Sequence, residues 1–190
     1  KLSCTTHHGT SRSRLSFDVT DRYISNGNDS GSVDYRHTSP LLGVLYKVSP
    51  ALNVYASAAR GFETPTLNEL FYSGTGEGFN FRLGPAIGKH LEAGVKAMLR
   101  PGVRVNAAVF QVRSDGELVV DSSSGGRTSY RNAGATLRQG GELSLDAELG
   151  GGWNARLALT ALRAPYEEGF GNVPDGSRLP GIAKTSLYGE

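Results

Sequence analysis

The chain has 190 residues, including 26 glycines, and its 20 Lys and Arg residues against 18 Asp and Glu residues give a formal net charge of +2. Glycine has a poor helix propensity, so long helices are disfavoured, and the near balance of charge excludes a basic field for nucleic acid. The single cysteine, Cys4, excludes an internal disulfide and a cysteine-based metal cluster. No run of roughly 18 apolar residues occurs, which excludes a transmembrane helix but not membrane-spanning strands.

Alternating apolar and polar residues predict β-strands along the chain. Every second residue is apolar in each of seven segments: Leu15 to Val19, Leu42 to Val48, Leu52 to Ala58, Leu91 to Leu99, Val103 to Val109, Leu143 to Leu149 and Trp153 to Ala161. We expect the opposite face of the strands to carry the charged residues Arg14, Lys47, Glu92, Lys96, Arg104, Asp146, Glu148 and Arg156. The segments Val103 to Asp121 and Arg127 to Leu149 read as nearly continuous strands.

Short and long connections alternate between these strands. Three are tight turns rich in Gly and Pro, at Ser49 to Ala51, Arg100 to Gly102 and Gly150 to Gly152. The others are polar segments: Tyr23 to His37, Glu63 to Ile87, Ala164 to Gly181 and the shorter Ser122 to Gly126. Gly74 to Gly78 lacks the strand-then-helix context of a phosphate-binding loop, so we expect a surface loop there.

Together these patterns predict an all-β fold, namely a fragment of an antiparallel transmembrane β-barrel with about eight long strands. Its short turns would face the periplasm, and its long loops would be extracellular. The uncharged Ala, Leu and Val faces suit lipid, where a Lys or Arg at the bilayer midplane costs roughly 2 to 4 kcal/mol. A soluble carbohydrate-binding β-sandwich also has one apolar face per strand, but its outward faces would be polar.

The stretch from Asn53 to Leu70 carries the most specific motif, because it reads as a strand that ends at Gly61-Phe62 before Pro65. This stretch resembles the corresponding segment of TonB-dependent outer-membrane receptors. Further motifs resemble the same family in the same order: Ser39 to Tyr46, His90 to Lys96, Asn106 to Phe110, Tyr130 to Gly134 with Gly141 to Leu143, and Leu179 to Gly181. Leu83 to Ile87 departs from the family pattern, because it lacks the usual Glu.

The resemblance implies a receptor of the bacterial outer membrane that takes up a ferric siderophore or a similar iron chelate. Residues 1–190 would then be part of its barrel domain, with a plug domain upstream and further strands downstream. The expected partners are the chelate, membrane lipid and, through the plug, the TonB complex; no nucleic acid, cofactor, protein-held metal or catalytic residue is expected. The alternatives are a passive porin-like barrel and a receptor for cobalamin, haem or a glycan.

The long loops are the expected place for ligand contact. Aromatic side chains offer rigid contact area, and arginine forms charge-assisted hydrogen bonds with anionic chelates. On these grounds the candidate ligand-binding residues are Tyr72, Phe79, Arg82, Arg127 and Tyr166. We also expect this segment not to fold alone, because an open sheet exposes a lipid face and two unpaired edges.

Overall fold

The computed structural model describes residues 3–25, 27–73 and 78–190, so the stretch from Gly74 to Glu77 lies outside the described residues. The described part is almost entirely β-structure. Its elements are β1 (Ser3–Val19), β2 (Gly31–Ser49), β3 (Leu52–Glu63), α1 (Leu67–Leu70), β4 (Ala86–Arg100), β5 (Val103–Asp115), β6 (Leu118–Ser124), β7 (Arg127–Asn132), β8 (Thr136–Gly150), β9 (Trp153–Arg163) and β10 (Thr185–Gly189). No helix among the described residues is both long and apolar enough to cross a membrane.

Eight strands form one antiparallel sheet in the order β1-β2-β3-β4-β5-β8-β9-β10, and β6 and β7 form a separate hairpin. Strands that are neighbours in the large sheet are also consecutive in the sequence, except for β5 and β8. The β6–β7 hairpin lies between those two in the sequence. The predicted tight turns join β2 to β3, β4 to β5 and β8 to β9. The positive φ angles of Gly102 and Gly152, 79° and 84°, favour glycine at these turns. The prediction of an all-β antiparallel fold is confirmed.

The pairing register places the apolar residues of neighbouring strands on one face, because residues directly opposite in a ladder share a face. Leu42 lies opposite Ala58, and Ala58 lies opposite Leu91. We call this set the apolar belt: Leu42, Val44, Ala56, Ala58, Leu91, Ala93, Val95, Val105, Ala107, Val109, Leu143, Leu145, Leu157, Leu159 and Leu187. Leu91 and Val109 are 55% and 64% exposed, so the chain itself does not cover this face.

The opposite face of the sheet is polar and internally bonded. Tyr55 Oη donates a hydrogen bond of 2.5 Å to Glu92 Oε1, and Lys96 Nζ lies 5.2 Å from the centre of the Tyr55 ring. Asn106 Nδ2 donates to Ser144 Oγ at 3.1 Å across the next pair of strands. A sheet with one apolar and one hydrogen-bonded polar face separates lipid from a polar interior.

Strand β1 does not follow the predicted assignment of faces. Leu15 lies opposite Tyr35, on the polar face of the sheet, whereas Arg14 lies opposite Arg36 on the face of the belt. The prediction failed because this part of the polar face is covered: the Phe17 and Tyr35 rings are 6.5 Å apart, and Tyr35 Oη donates to the Leu83 carbonyl of a loop. Nearer the turn, β1 presents Cys4, Thr6 and His8 beside the belt, where they lie opposite Tyr46, Val44 and Leu42.

Two predicted segments are also divided differently. The expected continuous strands Val103 to Asp121 and Arg127 to Leu149 are each broken, because Gly116 has a φ of 72° and residues 133–135 leave the ladder. The segment between β5 and β8 therefore folds as a hairpin outside the large sheet. The polar segment from Tyr23 to His37 is shorter than predicted, since β2 already begins at Gly31.

Substitution at two adjacent positions of β5 tests the assignment of faces. Val109 is the seventh residue of the strand and points to the belt, and Ala108 points to the polar face opposite Glu142. Val109→Arg should destabilise the complete protein in a bilayer by roughly 2 to 4 kcal/mol. Ala108→Arg should cost less, because Glu142 can pair with the new cation. Urea unfolding in lipid vesicles measures both, and equal costs would contradict the assignment.

Candidate functional site

Besides the connection between β1 and β2, three connections meet at the end of the sheet away from the tight turns. They are residues 64–85 between β3 and β4, the β6–β7 hairpin, and residues 164–184 between β9 and β10. All three contain aromatic and charged side chains that lie outside the eight-stranded sheet. This end is therefore where the molecule offers a built surface for a ligand.

The connection between β3 and β4 is held by a short capped helix. The Thr66 side chain accepts a hydrogen bond from the Glu69 amide, and the Glu69 carboxylate accepts one from the Thr66 amide at 2.7 Å. Two apolar anchors on either side, Pro65 and Leu70, are completely buried. The Asn80 amide then donates to the Leu70 carbonyl at 2.7 Å, which folds the chain back on the helix. The connection is thus fixed at both ends of the short helix.

Asn132, the last residue of β7, ties the hairpin to that connection. Its Nδ2 donates to the Gly84 carbonyl at 2.9 Å and to the Gly116 carbonyl at 2.7 Å, while its Oδ1 accepts from the Gly84 amide at 2.8 Å. Asn80 Nδ2 adds a bond of 3.2 Å to the Tyr130 carbonyl. One asparagine thus joins three backbone segments, and the hairpin is fixed against the loop.

An open cavity of about 740 Å³ lies between the loop and the hairpin. Its volume is in the range of about 300 to 1,000 Å³ that is usual for small-molecule sites. It is lined by Ser73, Phe79, Asn80, Phe81, Arg82, Leu83, Asp121, Tyr130, Arg131 and Asn132. Aromatic rings, amides and two guanidinium groups are therefore available to one ligand.

The aromatic side of the cavity continues into a row of rings. Phe79 stacks on Phe81 with 5.7 Å between ring centres, and Phe71 lies 5.1 Å from Phe79. Tyr72 contacts Phe71 at 5.3 Å, and the Arg127 guanidinium lies over the Tyr72 ring at 5.4 Å. The rings and the overlying cation restrict one another's side-chain motion. This wall is therefore a preorganised surface for a flat ligand.

The cationic side of the cavity has one paired and one exposed arginine. Arg131 lies 3.5 Å from Asp121 and stands over the Phe170 ring at 5.7 Å. Arg82 is exposed, and in the described part of the chain its guanidinium forms no ion pair. A guanidinium that is not neutralised can bind a carboxylate, a catecholate or a hydroxamate oxygen through charge-assisted hydrogen bonds.

The third connection has its own small core. Tyr166 is only 7% exposed and packs with Ala164, Leu179 and Phe170, whose ring centre is 5.0 Å away. Burial raises the pKa of the Tyr166 hydroxyl. This residue therefore supports the loop from inside and does not line the cavity.

The structure thus separates the five predicted ligand-binding residues. Phe79 and Arg82 line the cavity, Tyr72 and Arg127 pair with each other in the adjoining row, and Tyr166 is buried elsewhere. The predicted set of site residues left out three residues of β7, namely Tyr130, Arg131 and Asn132. Those residues stood in a motif that resembled the receptor family, but the predicted continuous strand hid that they face a loop.

A half-buried ion pair supports the base of the hairpin. Arg138 Nη1 donates to Glu117 Oε2 at 2.9 Å, and Thr136 Oγ1 donates to the same carboxylate. Burial acts to raise the pKa of Glu117, but the hydrogen bonds from Arg138 and Thr136 outweigh burial and lower it. A lowered pKa in the folded state means that ionised Glu117 stabilises the fold at neutral pH.

The Glu117 pair predicts an acid-sensitive hairpin. Its stabilisation is complete above the ordinary pKa of 4.5 and is lost as the pH falls through the lowered pKa of the folded state. Glu117→Gln should lower the protection of the hairpin amides against hydrogen exchange by roughly 1 to 3 kcal/mol at neutral pH. It should also remove the acid dependence of that protection. Hydrogen exchange of residues 116–135 between pH 3 and 7 measures this, with Glu168→Gln as control. An unchanged acid dependence in Glu117→Gln would refute the assignment.

In the described part of the chain, no group of three or more His, Cys, Asp or Glu residues could hold a metal ion.

Several solved structures share this fold. A copper transporter, OprC, matches the fold with a TM-score of 0.72 at 16% identity, over 86% of this chain and 26% of that one. The alcaligin outer-membrane receptor FauA from Bordetella pertussis matches with a TM-score of 0.62 at 19% identity, over 97% and 31%. The ferric-catecholate import receptor Fiu from E. coli matches with 0.65 at 18% identity, over 99% and 29%.

At these identities the structural matches show a shared fold, and this chain spans less than a third of the length of each of those proteins. The family model described as "TonB dependent receptor-like, beta-barrel" matches residues 9–188. Members of that family are transport proteins of the bacterial outer membrane and not enzymes, as the sequence motifs predicted. The chain belongs to the TonB-dependent receptor family and is part of its outer-membrane β-barrel.

Proposed function

We propose that the complete protein imports a ferric siderophore or a similar iron chelate across the outer membrane in a TonB-dependent manner. The residues described above contribute a part of the barrel wall and the extracellular loops. Their tight turns face the periplasm, as in other outer-membrane barrels. A plug domain elsewhere in the protein would contact TonB and release the ligand inward.

The observation that carries this proposal is the cavity of about 740 Å³ between the β3–β4 connection and the hairpin. Phe79, Phe81 and Tyr130 offer ring surfaces, and Arg82 and Arg131 offer cations, at the outer end of a two-faced sheet. Iron chelates combine flat or cyclic organic groups with a cluster of anionic oxygens around the metal. The cavity supplies a complementary group for each part.

The names of two structural relatives agree with this class of ligand. FauA is described as a receptor for alcaligin, and Fiu as an import receptor for ferric catecholates. The iron in such ligands is cargo that arrives already chelated. We therefore expect contacts to the organic chelator and no direct protein ligand to iron.

Uptake by the complete protein in a host without its own iron-chelate receptors tests the function. Cells are given radiolabelled ferric siderophores with and without a functional TonB system. We expect accumulation that requires TonB. Accumulation that persists without TonB would instead show a passive porin-like barrel. If no iron chelate accumulates, the imported ligand would be sought among cobalamin, haem and glycans.

The same cells test the cavity. Arg82→Gln removes the exposed cation, and we expect about a tenfold weaker affinity for the imported chelate, equivalent to about 1.4 kcal/mol. Arg22→Gln, a loop arginine that does not line the cavity, is the matched control. Binding is measured by competition at the cell surface without TonB, and equal affinities for the two variants would exclude Arg82 from the site.

A further inference from the structure

Four arginines lie together on the outer face of the sheet, at the end that carries the loops. Arg12 and Arg14 of β1 and Arg36 of β2 share the face of the apolar belt, since Arg14 lies opposite Arg36 and His8 lies opposite Leu42. Arg60 of β3 follows Ala58 on the same face. These four side chains line one open cleft of about 510 Å³, which we call the arginine cleft.

The cleft begins where the apolar belt ends. Arg60 is the ninth residue after the Pro50–Ala51 turn, counted from Leu52, and a tilted transmembrane strand needs about 9 to 11 residues. The register continues the row of cations around the sheet, because Arg60 lies opposite Lys89 and Lys89 lies opposite Arg113. The arginine cleft therefore sits at the boundary between the lipid chains and the extracellular side.

The charge of the cleft is only partly neutralised. Arg14 binds the Asp34 carboxylate at 3.2 Å, and Arg36 lies 3.7 Å from the same carboxylate. Within residues 3–25, 27–73 and 78–190, neither Arg12 nor Arg60 forms an ion pair. Four guanidinium groups and one carboxylate leave a net charge of +3 on a surface that points away from the polar interior.

We propose that the arginine cleft binds the phosphate groups of an anionic glycolipid in the outer leaflet of the membrane. Guanidinium groups bind phosphate through paired, charge-assisted hydrogen bonds, and several of them around one cleft can engage two phosphates of one headgroup. The belt below the cleft receives the acyl chains of the same molecule. Basic clusters next to a membrane-spanning segment recognise anionic headgroups by this combination.

The position and charge of the cleft favour this occupant over a second copy of the chain. Two copies joined through this face would bring two clusters of +3 together, and their repulsion would oppose association. An anionic headgroup neutralises the cluster and leaves the belt in contact with lipid. The proposal rests on the family assignment and on the register, and it does not depend on which ligand is imported.

The test uses the complete protein, freed of lipid in detergent and titrated with diphosphoryl lipid A, monophosphoryl lipid A or phosphatidylcholine. Native mass spectrometry counts the bound molecules. We expect preferred binding of the diphosphoryl form. In Arg12→Gln/Arg60→Gln, which spares the Arg14–Asp34 pair, its affinity should fall at least tenfold. Inorganic phosphate at millimolar concentration should compete poorly, because it lacks the acyl chains.

The control Arg22→Gln/Lys184→Gln removes the same charge from loop positions outside the cleft, and it should bind within twofold of the unmodified protein. Folding of each variant is checked by its heat-dependent electrophoretic mobility. If the glutamine variant fails to fold, Arg12→Lys/Arg60→Lys keeps the charge and should still lose part of the preference, because lysine cannot form the paired hydrogen bonds. Equal binding by cleft and control variants, equal binding of all three lipids, or full competition by phosphate would each overturn the proposal.

Discussion

The pairing of backbone groups across the sheet is the constraint on which the rest of this structure depends. Inside lipid every amide and carbonyl must find a partner in a neighbouring strand, and eight of the strands from β1 to β10 pair in one continuous sheet. The ladder fixes the register, and the register assigns each side chain to one face. A slip of one residue in β4 would move Glu92 to the belt and Leu91 to the polar side, so the tight turns that hold the register also hold the separation of faces.

Beyond the belt the same strands serve a different purpose on each face. On the polar side, Tyr35 anchors the β3–β4 connection through the Leu83 carbonyl, and Asn132 adds the hairpin that completes the cavity. On the outer side, Arg12 and Arg60 continue the belt into a cationic boundary. The extension of β2 and β3 past the belt thus places a proposed ligand site on the polar side of the wall and a proposed lipid site on its outer side.

The parts of this arrangement that period-two patterning controls could be predicted, and the parts that loop packing controls could not. Leu91 to Ala97 and Val103 to Val109 alternate cleanly because one neighbour is lipid and the other is polar. Leu15, Phe17 and Val19 alternate just as well, yet they point the other way, because above the membrane a loop packs against Tyr35 on that face of the sheet. The hairpin was hidden because β6 and β7 are themselves extended. The φ of Gly116, the break at residues 133–135 and the long-range bonds of Asn132 separate them from the wall.

The central claim is that the two faces of this sheet meet lipid and the barrel interior, respectively. It can be tested most directly by spin-labelling consecutive positions of β5, from Ala107 to Gln111, in the complete protein with Cys4→Ser, reconstituted in lipid bilayers. Collision with apolar oxygen and with a polar nickel chelate is measured at each label. We predict that oxygen contact is greatest at Ala107 and Val109, and that contact with the nickel chelate, relative to oxygen, is greater at Ala108 and Phe110. Equal accessibility at all positions, or the opposite alternation, would contradict the account.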